Sequence, residues 1–148
     1  MNMMLTEENH KEIINSYAKE DWKPLLDLIT DIEKTSSFGE LNGGQKDENG
    51  FIQIPFWVAS PIVHRFNQIV YEIPVMINFN WGKWNEGRKI VNNDDFNYNS
   101  IDIPTKCKII TAIVRSDRFC DGEIVHAFNS GLILKILKSI EEQLHLEQ

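Results

Sequence analysis

The stretch from residue 103 to residue 140 is the strongest constraint on how this chain can fold. Its apolar residues recur at the spacing that places them along one side of an α-helix. Two such stripes begin within it: Ile103, Cys107, Ile110 and Val114, then Ile133, Ile136, Leu137, Ile140 and Leu144. Because these stripes are denser than any others in the chain, we expect the remaining segments to pack against these two helices.

The other segments also have mainly helical periodicity. Apolar stripes recur in residues 6–18, 21–34 and 60–73, whereas the alternation typical of strands is confined to residues 51–54 and 75–79. We therefore predict an all-α fold, an irregular bundle of about six or seven helices. At most one minor two-stranded element is expected, pairing the two alternating segments.

The polar segments predict loops rather than a domain boundary. Residues 39–50 contain several glycines and residues 92–100 are almost entirely polar, so both are expected to be exposed loops. No internal repeat and no long linker divides the chain, and its length suits one domain. We therefore predict a single helical domain over residues 1–148.

Side chains that can cap a helix mark most of the predicted helix starts. A Ser, Thr, Asp or Asn side chain at this position accepts a hydrogen bond from a backbone N–H in the first turn. The predicted caps are Thr6, Asp21, Ser60, Asp102, Asp121 and Ser130.

The charge of the chain argues against nucleic acid as a partner. The net charge is −7; residues 1–50 carry five Lys/Arg against eleven Asp/Glu (−6), and residues 51–148 carry ten against eleven (−1). Contacts to phosphates need clustered Lys and Arg side chains. The apolar runs are also far shorter than the roughly 20 residues of a membrane-spanning helix.

The cysteine content is typical of a cytoplasmic protein. Two cysteines, Cys107 and Cys120, are too few and too widely spaced for a disulfide framework or a metal knuckle. The first residues show no basic start followed by an apolar block, so no signal peptide is predicted.

The run from Thr111 to Gly122, TAIVRSDRFCDG, is the most specific motif of the chain. Together with upstream motifs it resembles a family of small prokaryotic proteins of unknown function. The resemblance covers about residues 22–140 and includes Ile32-Glu33, Phe38-Gly39, Pro55-Phe56, Phe66, Val70-Tyr71, Asn80-Trp81 and Phe128-x-x-Gly131. It implies a fold unit, and no activity, ligand or catalytic residue comes with it.

The same run holds the densest group of charged side chains next to a thiol: Arg115, Asp117, Arg118, Cys120, Asp121 and Glu123. In a functional interpretation, Arg115 and Arg118 bind a small anion or substrate beside Asp117. In a structural interpretation, the same groups pair with one another or satisfy the helix ends, and we expect this for both arginines. We also expect Cys120 to be a small buried thiol, because no histidine can be placed beside it as a base.

Three tryptophans, Trp57, Trp81 and Trp84, form a second candidate site. With Phe56 and Phe79 they could line an aromatic pocket or an interface, or they could fill the gaps between short helices. The four histidines show no paired ligand spacing, so we predict no metal and no cofactor.

No complete catalytic constellation accompanies the well-formed apolar framework. We therefore predict a non-enzymatic, cytoplasmic helical domain that binds a protein partner or associates with itself. The alternative is a small-molecule enzyme or anion binder that uses Arg115, Asp117 and Arg118.

Overall fold

The computed structural model describes residues 5–146, most of which are helical, as predicted. The helices are α1 (Glu7–Ser16), α2 (Lys23–Leu26), α3 (Leu28–Lys34), α4 (Pro61–Glu72), α5 (Asn85–Val91), α6 (Ile103–Ser116), α7 (Glu123–Asn129) and α8 (Leu132–Leu146). Short 3₁₀ turns cover Lys19–Trp22, Trp81–Lys83 and Tyr98–Ser100. The strands are β1 (Leu5–Thr6), β2 (Gly39–Asn42), β3 (Phe56–Ala59) and β4 (Ile77–Asn78).

Helices α6 and α8 form the centre of the core, as their stripes predict. Every residue of both stripes is buried, and α6 also buries Lys106, Ile109, Thr111 and Ile113. Helix α8 packs against α2, α3, α6 and α7, and α6 packs against α1, α5 and α7 as well. The two helices are therefore surrounded by most of the other elements.

The strand pairing differs from the prediction. Residues 51–54 do not pair with residues 75–79; β2 pairs antiparallel with β3, and β1 pairs parallel with β4. The predicted loop 39–50 is therefore partly a strand. We call residues 39–59, which comprise β2, β3 and their connection, the hairpin arm. Strand pairing depends on contacts between distant segments, so two brief alternations could not identify the partners.

Two of the predicted caps are confirmed by their hydrogen bonds. The Thr6 side chain accepts from the Asn9 backbone N–H at 3.3 Å, and Asp102 accepts from the Thr105 backbone N–H at 2.9 Å. Ser60 occupies the cap position of α4, but its side chain makes no capping hydrogen bond. Asp21 lies within a 3₁₀ turn and accepts from the Ala18 backbone N–H instead of starting a helix.

The predicted caps of the last two helices are wrong. Gly122 precedes α7 in a left-handed conformation, with φ of +91°, and Asp121 bonds elsewhere. Ser130 ends α7, and its hydroxyl donates to the Ala127 carbonyl at 3.3 Å. Gly131 then turns the chain into α8 with φ of +84°, a conformation that a glycine adopts at little cost.

Lys106 is a charged side chain in the buried interior. Its ammonium group donates a hydrogen bond to Oε1 of Gln143 on α8. Burial lowers the pKa of Lys106 to about 8, and the nearby Asp102 carboxylate opposes that shift. Below pH 8 the ammonium group therefore stays charged at a cost to folding.

This cost predicts a pH dependence of stability. Between pH 8 and 10.5 the unfolded chain holds the Lys106 proton more tightly than the folded chain, so stability rises with pH in this window. We expect wild type to gain on the order of 2 kcal/mol relative to Lys106→Met between pH 7 and pH 10. Urea unfolding of both proteins at several pH values measures the difference, and the shared titrations of other groups cancel. A difference that stays constant with pH contradicts the prediction.

Candidate functional site

The turn between α6 and α7 is held by the carboxylate of Asp117, whereas the sequence predicted Asp121. Oδ1 of the half-buried Asp117 accepts a hydrogen bond from the Ile124 backbone N–H at 3.1 Å. Asp117 thus satisfies one of the N–H groups that the first turn of α7 leaves without a helical partner. The capping role predicted for Asp121 therefore belongs to Asp117.

Asp121 connects this turn to the hairpin arm. Its Oδ2 accepts a hydrogen bond from the Trp57 backbone N–H at 2.8 Å. The Trp57 ring lies directly against Gly122, where the Cβ of any other residue would overlap the ring. Strand β3 and the α6–α7 turn are therefore fastened together by one hydrogen bond and one ring contact.

The remaining residues of the charged group point to different surroundings. Arg115 is half-buried and has an interaction partner, whereas Arg118 is exposed and, within residues 5–146, forms no ion pair with Asp117 or Asp121. Cys120 is exposed, so the prediction of a buried thiol is wrong. The turn projects this side chain away from the core, which local periodicity cannot reveal.

A small cavity of about 130 Å³ lies between this turn and α4. Asp117, Asp121 and Trp57 line it, together with Asn67, whose Oδ1 is buried without a hydrogen-bond partner. Neither Arg115 nor Arg118 is among the lining residues. The cavity therefore presents carboxylate and amide oxygens, which suit a hydrogen-bond donor better than an anion.

The three tryptophans of the second candidate site do not share one pocket. Trp57 lines the small cavity beside Asp117, whereas Trp81 and Trp84 line an apolar cavity of about 170 Å³ over α6. Trp84 packs edge-to-face on Phe79 with ring centroids 5.5 Å apart, and the Lys108 ammonium lies 4.6 Å from the Trp84 ring centroid. The rings of Trp81 and Phe119 have their centroids 6.0 Å apart.

A larger cleft of about 360 Å³ adjoins that apolar cavity. Its charged and titratable wall comes from the loop after α5 and from α7 and α8, and includes Asp94, Tyr98, Glu123, His126 and Lys135. Burial and the Asp94 charge raise the pKa of Tyr98. Of the sequence-predicted site residues only Glu123 lines this cleft. The other lining residues come from segments that are distant in the chain, so the sequence does not show that they meet.

The hairpin arm exposes an unusual number of large apolar side chains. Ile54 is 82% exposed and Phe51 is 70% exposed. The other exposed apolar residues of the arm are Leu41, Ile52, Phe56, Trp57 and Val58. Of these residues only Trp57 was a predicted site residue, although the alternating apolar residues beside a glycine-rich loop were a signal for the rest of the arm.

Neither a metal-binding group nor a membrane-spanning helix is found within the described residues. In residues 5–146, no group of three or more His, Cys, Asp or Glu side chains is placed to hold a metal ion. No helix of that same part of the chain has the length and hydropathy needed to cross a membrane.

These observations define a mainly helical domain that carries an exposed two-stranded arm and a cleft of mixed charge. The chain belongs to the family of unknown function DUF6508, whose profile matches residues 17–145. No curated protein and no solved structure matches the chain. The resemblance read from the sequence is thereby confirmed.

Proposed function

We propose that this protein is a non-enzymatic binding domain, with the hairpin arm as the surface that contacts a partner protein. The observation that carries the proposal is the set of seven large apolar residues exposed along the arm. Single exposed apolar side chains are ordinary, but seven of them within one short segment are typical of an interaction site.

The backbone of the arm supports the same function. Strands β2 and β3 form a sheet of two strands only, and Asp121 already binds the Trp57 N–H of β3, so β2 has the outer edge whose backbone groups can pair with an added strand. The arm is also held to the domain, because Asp121 binds the Trp57 N–H and Ser60 donates its backbone N–H to the Phe38 carbonyl at 2.9 Å. A surface positioned in this way loses little conformational freedom when it binds.

The charge of the arm favours a different protein over a second copy of this chain. The arm carries Glu40, Asp47 and Glu48 against Lys46 alone, and the whole chain has a net charge of −7. Two such arms would bring like charges together, which opposes self-association. We therefore propose a partner with an apolar surface bordered by Lys or Arg side chains. Both cysteines are free thiols, and we propose a cytoplasmic location because free thiols are typical of a reducing compartment.

An anion site at Arg115 and Arg118 has less support. The cavity beside this turn is lined by the Asp117 and Asp121 carboxylates, which repel an anion, and by neither arginine. Both carboxylates accept backbone hydrogen bonds that hold the turn and the arm in place.

The experiment introduces a photoreactive amino acid at Ile54, the most exposed apolar residue of the arm, and crosslinks the protein in living cells. The matched control carries the same amino acid at Lys89, an exposed position on α5. We expect one dominant crosslinked protein at Ile54 and none at Lys89. Crosslinks only to another copy of this chain, equal products at both positions, or no product at Ile54 would contradict the proposal.

A charge substitution then tests the chemistry of that partner. Ile54→Lys and Ile54→Glu both remove the apolar side chain, but only the lysine repels a basic border. We expect Ile54→Lys to weaken binding by about tenfold or more, and by more than Ile54→Glu does. Calorimetric titration with the purified partner measures both, and thermal melting verifies that each variant is folded. Equal losses in the two variants contradict a basic partner.

A further inference from the structure

The cleft of about 360 Å³ has an architecture that suits a small ligand. Ile113 of α6 lies at its floor, Val91 at the end of α5 and the loop that follows form one wall, and α7 with the start of α8 form the other. In the adjoining apolar cavity the floor is wider, because Ile109, Ala112, Ile113 and Ser116 lie on one side of α6, and two of them are small. The volume of the cleft falls within the range of small-molecule sites, roughly 300–1,000 Å³.

The cleft and the apolar cavity beside it form two compartments of different chemistry. They share Val91, Asn92, Ile113 and Glu123 as lining residues, so one opens next to the other. The smaller compartment is faced by Trp81 and Trp84. The Trp84 ring lies so close to Gly87 that the Cβ of any larger residue would overlap it, so the ring packs directly against α5.

The larger compartment carries charges of both signs. Asp94 and Glu123 contribute carboxylates, Lys135 contributes an ammonium group, and His126 adds an imidazole. Within the part of the chain that the structure describes, none of these four side chains takes part in an ion pair or a hydrogen bond. Their hydrogen-bonding groups are therefore available to a ligand.

We propose that this cleft binds a zwitterionic small molecule with an apolar group, of the class of the hydrophobic amino acids. The ligand's ammonium group faces Glu123 and Asp94, its carboxylate faces Lys135, and its apolar group enters the compartment of Trp81 and Trp84. Glu123 borders both compartments, which matches a ligand whose amine lies next to its apolar group.

Simpler ligands fit the same walls less well. An anion without an amine would meet two carboxylates, and an amine without a carboxylate would leave Lys135 without a partner. A purely apolar molecule would displace water from the polar groups of the larger compartment without replacing the hydrogen bonds that they make to water. The residues of the hairpin arm do not line the cleft, so this site is separate from the proposed protein contact.

The test is a titration of the ¹⁵N-labelled protein followed by NMR, with four probes of known charge. L-phenylalanine carries all three groups, 3-phenylpropanoate lacks the amine, phenethylamine lacks the carboxylate, and glycine lacks the apolar group. We expect L-phenylalanine to shift the backbone signals of cleft residues at millimolar concentrations, and each other probe to bind about tenfold more weakly. No shift at about 10 mM L-phenylalanine, or equal binding of the single-charge probes, overturns the proposal.

Two variants assign the charges of the ligand to the walls. Lys135→Gln is expected to weaken L-phenylalanine about tenfold and to leave phenethylamine unchanged, whereas Glu123→Gln weakens L-phenylalanine and phenethylamine but not 3-phenylpropanoate. The matched controls are Lys138→Gln on α8 and Glu86→Gln on α5, which lie outside the lining of both compartments. All four side chains are exposed, so the variants should fold, and thermal melting verifies this. Equal effects of the cleft variants and their controls overturn the assignment.

Discussion

Replacing Ile110 with alanine is expected to lower the free energy of unfolding by about 2–5 kcal/mol. Ile110 is 0% exposed and lies in the middle of α6, which packs against α1, α5, α7 and α8. The substitution removes buried methyl and methylene groups and leaves a cavity that the surrounding helices can only partly close. Urea unfolding followed by circular dichroism measures the loss.

The matched control for this change is the same substitution on the hairpin arm. Ile54 is 82% exposed, so Ile54→Ala removes almost no buried surface and should change stability by less than about 0.5 kcal/mol. A loss below about 1 kcal/mol in Ile110→Ala would mean that α6 is not the centre of the core.

The second large effect is expected for Gly122→Ala, with a loss of about 2–4 kcal/mol. The backbone at Gly122 has φ of +91°, which is unfavourable for any residue with a Cβ atom. The new methyl group also overlaps the Trp57 ring, so the ring has to move away from the turn. Thermal and urea unfolding measure the loss, and the indole N–H signal of Trp57 in an NMR spectrum reports the movement.

Gly131→Ala separates the two causes of this effect. Gly131 has a similar φ of +84°, but no atom lies close to the position of its Cβ. Its replacement therefore carries the backbone cost alone, about 1–2 kcal/mol, and leaves the Trp57 signal in place. Equal losses in the two variants, or an unshifted Trp57 signal in Gly122→Ala, would show that the ring contact contributes nothing.

The helices and the core could be predicted from the sequence because their signals are local. The stripe of Ile103, Cys107 and Ile110 repeats at helical spacing, and burial of that stripe follows from the spacing alone. Thr6 and Asp102 were predictable for a similar reason, since a cap bonds to the backbone three residues away.

The strand partners and the roles of the corner residues depend on segments that are distant in the chain. Asp117 and Asp121 are equally good caps by type, and the choice between them depends on the Trp57 N–H, which lies 64 residues from Asp121. Strands β2 and β3 likewise meet across residues 43–55, where the sequence has polar and glycine residues that are also typical of loops. No local pattern encodes either contact.

The candidate site was predicted only in part for the same reason. Glu123 is a candidate by sequence because of its neighbours in the α6–α7 turn, but the residues that line the cleft with it include Asp94 and Lys135, from separate segments. The exposure of Cys120 depends on the direction in which the turn leaves α6, and a turn of this kind has no periodicity to follow.

The two thiols of the chain make it possible to measure how often its central helix, α6, opens. Cys120 is in contact with solvent, whereas Cys107 is enclosed by the core, and burial raises the pKa of its thiol. An alkylating reagent therefore modifies the first sulfur at once and reaches the second only during the moments when α6 separates from its neighbours. Mass spectrometry distinguishes the singly and doubly modified chains, so the unaltered protein reports how often its own core opens.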